Sequence, residues 1–260
     1  LKSYRGYFID LDGTMYKGKE KIEGAAEFVE SLKRKQLPFL FLTNNSSKTP
    51  EQIAEKLNHL GVQALKEEVF TSSLATATFI SEQKLKAKVY VIGEEGLREA
   101  ITQEGHQIVD ENADFVVIGI DHEITYEKLA KACLNVRNGA EFLSTNSDIA
   151  IPTERGMMPG NGAITSVISV STGVSPLFIG KPEAVIMKQA LHLMGCDEQS
   201  ALLVGDNYHT DILAGIQAGM DTLMVETGVS SFTDIEEIEK QPTYKYKDLF
   251  EVIEDMEKAT

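Results

Sequence analysis

Short, wholly apolar runs alternate along this chain with segments of helical periodicity, and that alternation narrows the fold more than any other feature. Tyr7–Leu11, Phe39–Thr43, Val69–Thr71, Val89–Ile92, Phe115–Ile120, Phe142–Thr145, Leu177–Ile179, Leu202–Val204 and Thr222–Val225 read as strands. Several are apolar throughout instead of alternating, as strands covered on both faces are. Strands separated by helices imply a largely parallel sheet, so the expected fold class is α/β.

The helices between them carry legible punctuation. Thr49-Pro50-Glu51-Gln52 sets a capping threonine, a first-turn proline and a capping-box glutamine in order. Ile53, Leu57 and Leu60 then share one face, and Gly61 supplies the stop. Pro182 is expected to open a second helix, carrying Val185, Ile186, Gln189 and Leu193 and ended by Gly195. A third starts near Asp211, buries Ile212, Leu213 and Ile216, and stops at Gly219. No flexible linker marks a boundary, yet residues 83–176 have strand and helix signals of their own. The expected organisation is a discontinuous core of residues 1–82 and 177–260 with an inserted domain over 83–176.

Charge bears on partners. The formal net charge of −15 repels nucleic acid and anionic membrane surfaces, so neither is an expected partner. No apolar run reaches the roughly 18 residues of a membrane-spanning helix. Leu1 to Gly6 lack the basic start and apolar run of a secretory leader, and Cys133 and Cys196 are too few for a disulfide framework. A cytoplasmic location is the simplest expectation. Any anionic ligand would also be repelled unless cations were concentrated at its site.

Four strand ends carry chemistry. Asp10-Leu11-Asp12-Gly13-Thr14 follows the strand Tyr7-Phe8-Ile9, where Gly13 allows a sharp turn and Thr14 can brace the loop by hydrogen bonding. Paired carboxylates at the end of a buried strand need partners, and ligand sites of open α/β sheets lie at such ends. Thr43-Asn44-Asn45 presents a hydroxyl and two amides at the end of a second strand, all neutral donors suited to phosphate oxygens. Gly180-Lys181-Pro182 puts a lysine at a strand-to-helix junction, where a helix N-terminus also favours an anion. Gly205-Asp206-Asn207 ends another apolar strand, and Asp211 serves equally well there as a helix N-cap or as part of a site.

In this order the four segments resemble the motifs of the haloacid dehalogenase superfamily, and the resemblance covers essentially the whole chain. The long interval from Asn45 to Lys181 looks like the type C2 cap subgroup. Asn146-Ser147-Asp148, Pro152-Thr153, Pro159-Gly160-Asn161-Gly162-Ala163 and the stretch Gly205 to Gly228 are similar to its NagD-type, or p-nitrophenylphosphatase-like, branch. The resemblance implies a Rossmann-like parallel-sheet core and an inserted α/β cap that covers the site and contributes to substrate choice. Cap-to-cap homodimers are compatible with it.

The activity so implied is hydrolysis of small phosphomonoesters, with a small phosphorylated metabolite as partner. Asp10 would be the nucleophile that takes the phosphoryl group, and Asp12 the general acid and then base. Mg2+ would be held by Asp10, the backbone carbonyl of Asp12, and Asp206, with Asp211 and Asn207 around them. Thr43, Asn44 and Lys181 would hold the phosphate oxygens, while Asn146, Asp148, Gly160, Asn161 and Gly162 would form a substrate loop in the cap. The second aspartate favours phosphoryl transfer over dehalogenation, and the long cap favours hydrolysis over phosphomutase chemistry. A phospho-ligand-binding protein with little turnover, or one that docks a phosphoprotein, are the readings from other classes. Asp121-His122-Glu123 reads as a solvated loop, since three adjacent residues cannot easily converge on one ion.

Overall fold

The computed structural model describes residues 1–258, which pack as two compact units. The first comprises Leu1–Thr43, Glu51–Phe70 and the chain from Lys181 onward; the second comprises Asn44–Pro50 and Thr71–Gly180. In chain order the elements are β1 (Gly6–Ile9), a small hairpin of β2 (Tyr16–Lys17) and β3 (Glu20–Lys21), α1 (Ala25–Arg34), β4 (Phe39–Thr43), α2 (Pro50–His59) and β5 (Val69–Thr71). There follow α3 (Ser72–Gln83), β6 (Lys88–Ile92), α4 (Glu95–Gln103), β7 (Gln107–Ile108), β8 (Phe115–Ile118), α5 (Tyr126–Arg137) and β9 (Glu141–Ser144). A hairpin of β10 (Ala150–Thr153) and β11 (Gly156–Pro159) leads to α6 (Asn161–Thr172) and β12 (Leu177–Phe178). The last part contains α7 (Ala184–Met194), β13 (Ala201–Gly205), a π-helical turn over Tyr208–Ile212 running into α8 (Leu213–Ala218), β14 (Asp221–Val225), β15 (Tyr244–Tyr246) and α9 (Leu249–Lys258).

The first unit is built on a six-stranded sheet in the order β15-β14-β13-β1-β4-β5. Strand β1 pairs in parallel with β13 on one side and with β4 on the other. The chain therefore winds outward from β1 in both directions, and the switch point falls between β1 and β13. Tyr7 and Ile9 point to one face with Leu202, Val204, Leu223 and Val225, where Phe28, Val29 and Leu32 of α1 and Val252 of α9 cover them. Phe8, Leu203 and Met224 alternate to the opposite face, equally buried. Burial on both faces is why these strands are continuous hydrophobic runs.

The second unit has its own parallel sheet, in the order β12-β9-β8-β6-β7. One face packs on α3 and α4 through Ala77, Ile80, Leu97 and Ile101, the other on α5 and α6 through Ala132, Val136 and Ile168. Packing thus places α3 with this unit, although the sequence pattern puts residues up to 82 in the core. Strand β12, expected in the core, pairs with β9 in the second sheet through Leu177↔Leu143. The changeover comes after Gly180 instead. Both shifts have one cause: an apolar run shows that a strand is buried but not which sheet buries it.

Other local differences are small. Helix α7 begins at Ala184, with Glu183 at the N-cap position but making no side-chain capping bond, so Pro182 precedes the helix instead of opening it. The β2/β3 and β10/β11 hairpins and strands β7 and β15 do not stand out in the sequence pattern, because each strand is only two to four residues long. Cys133 and Cys196 are free thiols. Among the described residues no helix is long and apolar enough to cross a membrane.

Candidate active site

Register brings the first two acidic segments together. Ile9 pairs with Val204, so Asp10 and Gly205-Asp206 leave neighbouring strands side by side, and the Asp10 amide donates to the Val204 carbonyl at 2.9 Å. Asp10, Asp206 and Asp211 are all buried. Lys181 reaches the same place and is only 2% exposed. Its Nζ donates to Asp10 Oδ1 at 2.5 Å, to Asp211 Oδ1 at 2.6 Å and to the Leu42 carbonyl at the end of β4 at 3.0 Å. All three donor positions of this ammonium are therefore committed inside the protein.

Asp206 is held from two sides. Its Oδ1 accepts from the Thr14 hydroxyl at 3.0 Å, and its Oδ2 accepts from the Val229 amide at 2.7 Å. A Cβ at Gly13 or at Gly228 would overlap this carboxylate, and Gly13 also has a φ of +96°. The loop after β14 is tied on by Thr227 Oγ1, which donates to the Gly13 carbonyl at 2.7 Å, and by the Ser230 amide, which donates to the Asp206 carbonyl at 3.2 Å. Thr14 braces the loop as its chemistry suggested. Gly228 and Val229 were not singled out, and one Gly in a polar loop gives little sign of what it faces.

Asp211 is not a helix cap. Asn207 caps the π-helical turn, accepting from the His209 amide at 3.0 Å, while Asp211 lies inside the turn with its Oδ2 accepting from the Asn207 amide at 3.1 Å. The wider turn brings Asp211 round to Lys181. A tight approach helps: a Cβ on Gly205 would meet the Asp211 carboxylate.

These contacts put three carboxylates, from Asp10, Asp206 and Asp211, within 4.8 Å of one another. One ammonium opposes them, which leaves the cluster two negative charges in excess. Burial, with the charge of Asp211 next, raises the Asp10 carboxyl well above the usual range. The same two causes push Asp206 up to about 6, against the hydrogen bonds from Val229 and Thr14. A hard divalent cation with oxygen ligands matches this donor set and this charge deficit. Asp211 holds the Lys181 ammonium on one oxygen and the Asn207 amide on the other. By contrast, Asp206 accepts only from neutral donors and Asp10 keeps Oδ2 clear of Lys181, which makes Asp10 and Asp206 the better-placed ligands. Mg2+ fits the site on these grounds.

Asp12 stands apart, exposed on the loop that follows Asp10. It bridges to Tyr16, and the Gly13 amide donates to the Tyr16 carbonyl at 2.7 Å. Partial burial raises its carboxyl, opposed by the charge of Lys56 and an amide from Gly18. The two carboxyls of the first motif thus sit in unlike surroundings, as acid–base work on one site requires. Thr43 is buried at the end of β4.

In the second unit, Asn44 follows directly in the chain, and its carbonyl accepts from Ser72 Oγ and Asn146 Nδ2, each at 2.9 Å. The other residues named for this unit form one cluster. Asn161 Nδ2 donates to the Asn146 carbonyl and to Ser144 Oγ, each at 2.9 Å, and Asn146 Oδ1 accepts from the Asp148 amide at 3.1 Å. Gly160 and Gly162 lie so close to the Asp148 and Ser147 carbonyls that neither has room for a Cβ. Asp121-His122-Glu123 does not converge on an ion: Asp121 pairs with Lys128 at 2.7 Å and His122 with Glu94 at 2.6 Å. His209 is exposed beside Tyr208.

Comparison with known proteins bears on the same residues. Residues 7–107 match the family model described as haloacid dehalogenase-like hydrolase, and residues 178–252 match a second, HAD-hydrolase-like model. The chain is 59% identical over 253 residues to the 5'-nucleotidase YutF of Bacillus subtilis, covering 97% of this chain and 99% of that protein. It is 56% identical over 259 residues to an acid sugar phosphatase of Staphylococcus aureus, covering 99% and 100%. A thermostable p-nitrophenylphosphatase variant from Bacillus stearothermophilus superposes with a TM-score of 0.88 at 54% identity, covering 96% of this chain and 98% of that one.

Proposed function

Because this chain belongs to the haloacid dehalogenase-like hydrolases, as a phosphatase of the NagD and p-nitrophenylphosphatase kind, we propose that it hydrolyses small phosphomonoesters through a phosphorylated Asp10 with Mg2+ bound. The observation that carries this reading is the Asp10–Lys181–Asp211 arrangement beside Asp206 at the sheet's switch point.

Lys181 holds Asp10 Oδ1, which fixes the carboxylate and leaves Oδ2 to attack phosphorus; Thr14 lies 3.5 Å from that oxygen. Bound Mg2+ would offset the excess negative charge, so that Asp10 is ionised, and would polarise a phosphoryl oxygen. Asp12, whose carboxyl is held above its usual range, gives its proton to the departing alcohol oxygen. It then takes a proton from the water that cleaves the acyl phosphate. Thr43 and Asn44 offer hydroxyl and amide donors to the phosphoryl oxygens. Lys181 orders the carboxylates first and bears on the phosphate through them.

The division of labour we propose is core for the first unit and cap for the second, with the packing boundaries described above in place of those at 82 and 177. The Asn146, Asp148, Gly160, Asn161 and Gly162 cluster is proposed as the substrate-selecting loop. The relatives' names span nucleotide and sugar phosphates, so the ester itself is open.

The direct test is phosphate release from a panel of small esters, with and without Mg2+, for the intact protein and Asp10→Asn. Mg2+-dependent release that is lost in the variant is expected. Near-native turnover by Asp10→Asn would refute the covalent route.

A further inference from the structure

A phosphate ester approaching a chain of −15 net charge needs an accessible cation, and Lys181 is not one. Lys56 on α2 is exposed, and its Nζ lies 3.5 Å from the centroid of the Tyr16 ring. Tyr16 is the residue whose backbone bridges Asp12 and whose carbonyl holds the Gly13 amide, so Lys56 is seated on the Asp12 side of the catalytic loop. The ring is buried and its face fixes the end of a flexible side chain. In a chain with 40 acidic residues to 25 basic ones, a lysine at such a site would readily find a carboxylate. Among the described residues, no carboxylate lies within ion-pairing distance of Lys56.

We propose that the Lys56 ammonium receives a second negative charge on the leaving group, so that the enzyme favours phosphomonoesters whose alcohol part is itself anionic. This rests on the reading of Asp12 as proton donor to the leaving oxygen, which puts the leaving group on the Asp12 side of the transferred phosphorus. A cation held over an aromatic ring, close to that oxygen but unpaired, is already ordered for such a ligand. Attraction to a neutral alcohol would gain nothing from it. The substrate class selected is then esters of hydroxy acids or of alcohols bearing a further phosphate.

The test compares kcat/KM for phenyl phosphate and 3-carboxyphenyl phosphate, two esters that differ by one carboxylate on the leaving group. Intrinsic reactivity cancels when the preference of a variant is divided by that of the intact protein. Lys56→Met keeps the aliphatic contact with Tyr16 but loses the charge; its preference for the carboxylated ester should fall about two- to fivefold, the scale of a solvent-screened charge pair. Lys56→Arg should restore the preference, and rising ionic strength should erode it in the intact protein. Thermal melting of each variant checks the fold. Equal losses on both esters would mean that Lys56 acts on Asp12 or on stability, and would overturn the proposal. So would an unchanged preference in Lys56→Met. Hydrolysis of neither ester by the intact protein would instead bring down the phosphatase reading, and this inference with it.

Discussion

Lys181→Met separates a lysine that binds phosphate directly from one that holds the carboxylates in place. The side chain is 2% exposed and joins two buried carboxylates at 2.5 and 2.6 Å, with the Leu42 carbonyl as third acceptor. Methionine fills most of the volume, so the loss is chiefly of charge. Removing one partner of a buried ion pair costs about 3–5 kcal/mol, because the remaining charge is left uncompensated. The two pairs share one ammonium and do not add, so about 4 kcal/mol is expected. For a chain of this size that corresponds to a fall in Tm of about 10 °C.

The pH dependence of that fall distinguishes this cause from simple mispacking. Burial and the neighbouring charges raise Asp10, and Asp206 stands at about 6 where an ordinary aspartate is at 3.8. A carboxyl raised on folding contributes stability that is full below the unfolded value and declines as pH rises through the folded one. Lys181 lowers both carboxyls, so without it the decline steepens. The Tm deficit of Lys181→Met, measured by calorimetry in chelator, should therefore grow between about pH 5 and pH 8. A deficit equal at both ends, or a Tm within about 2 °C of the intact protein, would refute the assignment of Lys181 as the cluster's internal counter-charge.

Two further outcomes follow from the same cluster. Gly228→Ala puts a methyl against the Asp206 carboxylate, so phosphate release should drop about a hundredfold or more and stability by about 1–3 kcal/mol, read by initial rates and by melting. Adding Mg2+ to chelator-treated protein should raise Tm near pH 7.5 but much less near pH 5, since Asp206 at about 6 then holds its proton; an equal rise at both would exclude Asp206 as a ligand.

The acidic half of the site was legible because its residues sit at the ends of apolar strands. Asp10 follows Ile9 and Asp206 follows Gly205, and a parallel sheet with a switch point brings such ends together whatever the loops do. Asp211 was ambiguous since its role depends on a π-helical turn, which has no sequence signature to set against an ordinary N-cap. The enclosure of Asp206 by Gly228 and Val229 was hidden for a similar reason: a backbone amide carries no residue identity. The sheet to which α3 and β12 belong was likewise unreadable, since amphipathic elements show that a face is buried and not against which neighbour.

Lys181 changes how the charge problem is solved. From charge alone, a strongly acidic chain that binds phosphate would need a lysine facing its ligand, and the sequence has one lysine in the expected motif. The structure engages that lysine with Asp10, Asp211 and the Leu42 carbonyl, where it sets the position of the Asp10 carboxylate and holds down its proton affinity. Attraction for the phosphate must then come from other sources: the divalent cation that the excess carboxylates call for, the neutral donors after β4, and an exposed ammonium close to the catalytic loop. Lys56, held over the Tyr16 ring, meets the last condition. If specificity among esters is electrostatic, it resides in α2 as much as in the inserted unit. Exchanging loops of the inserted unit alone would then alter which shapes are accepted while leaving the preference for anionic leaving groups in place.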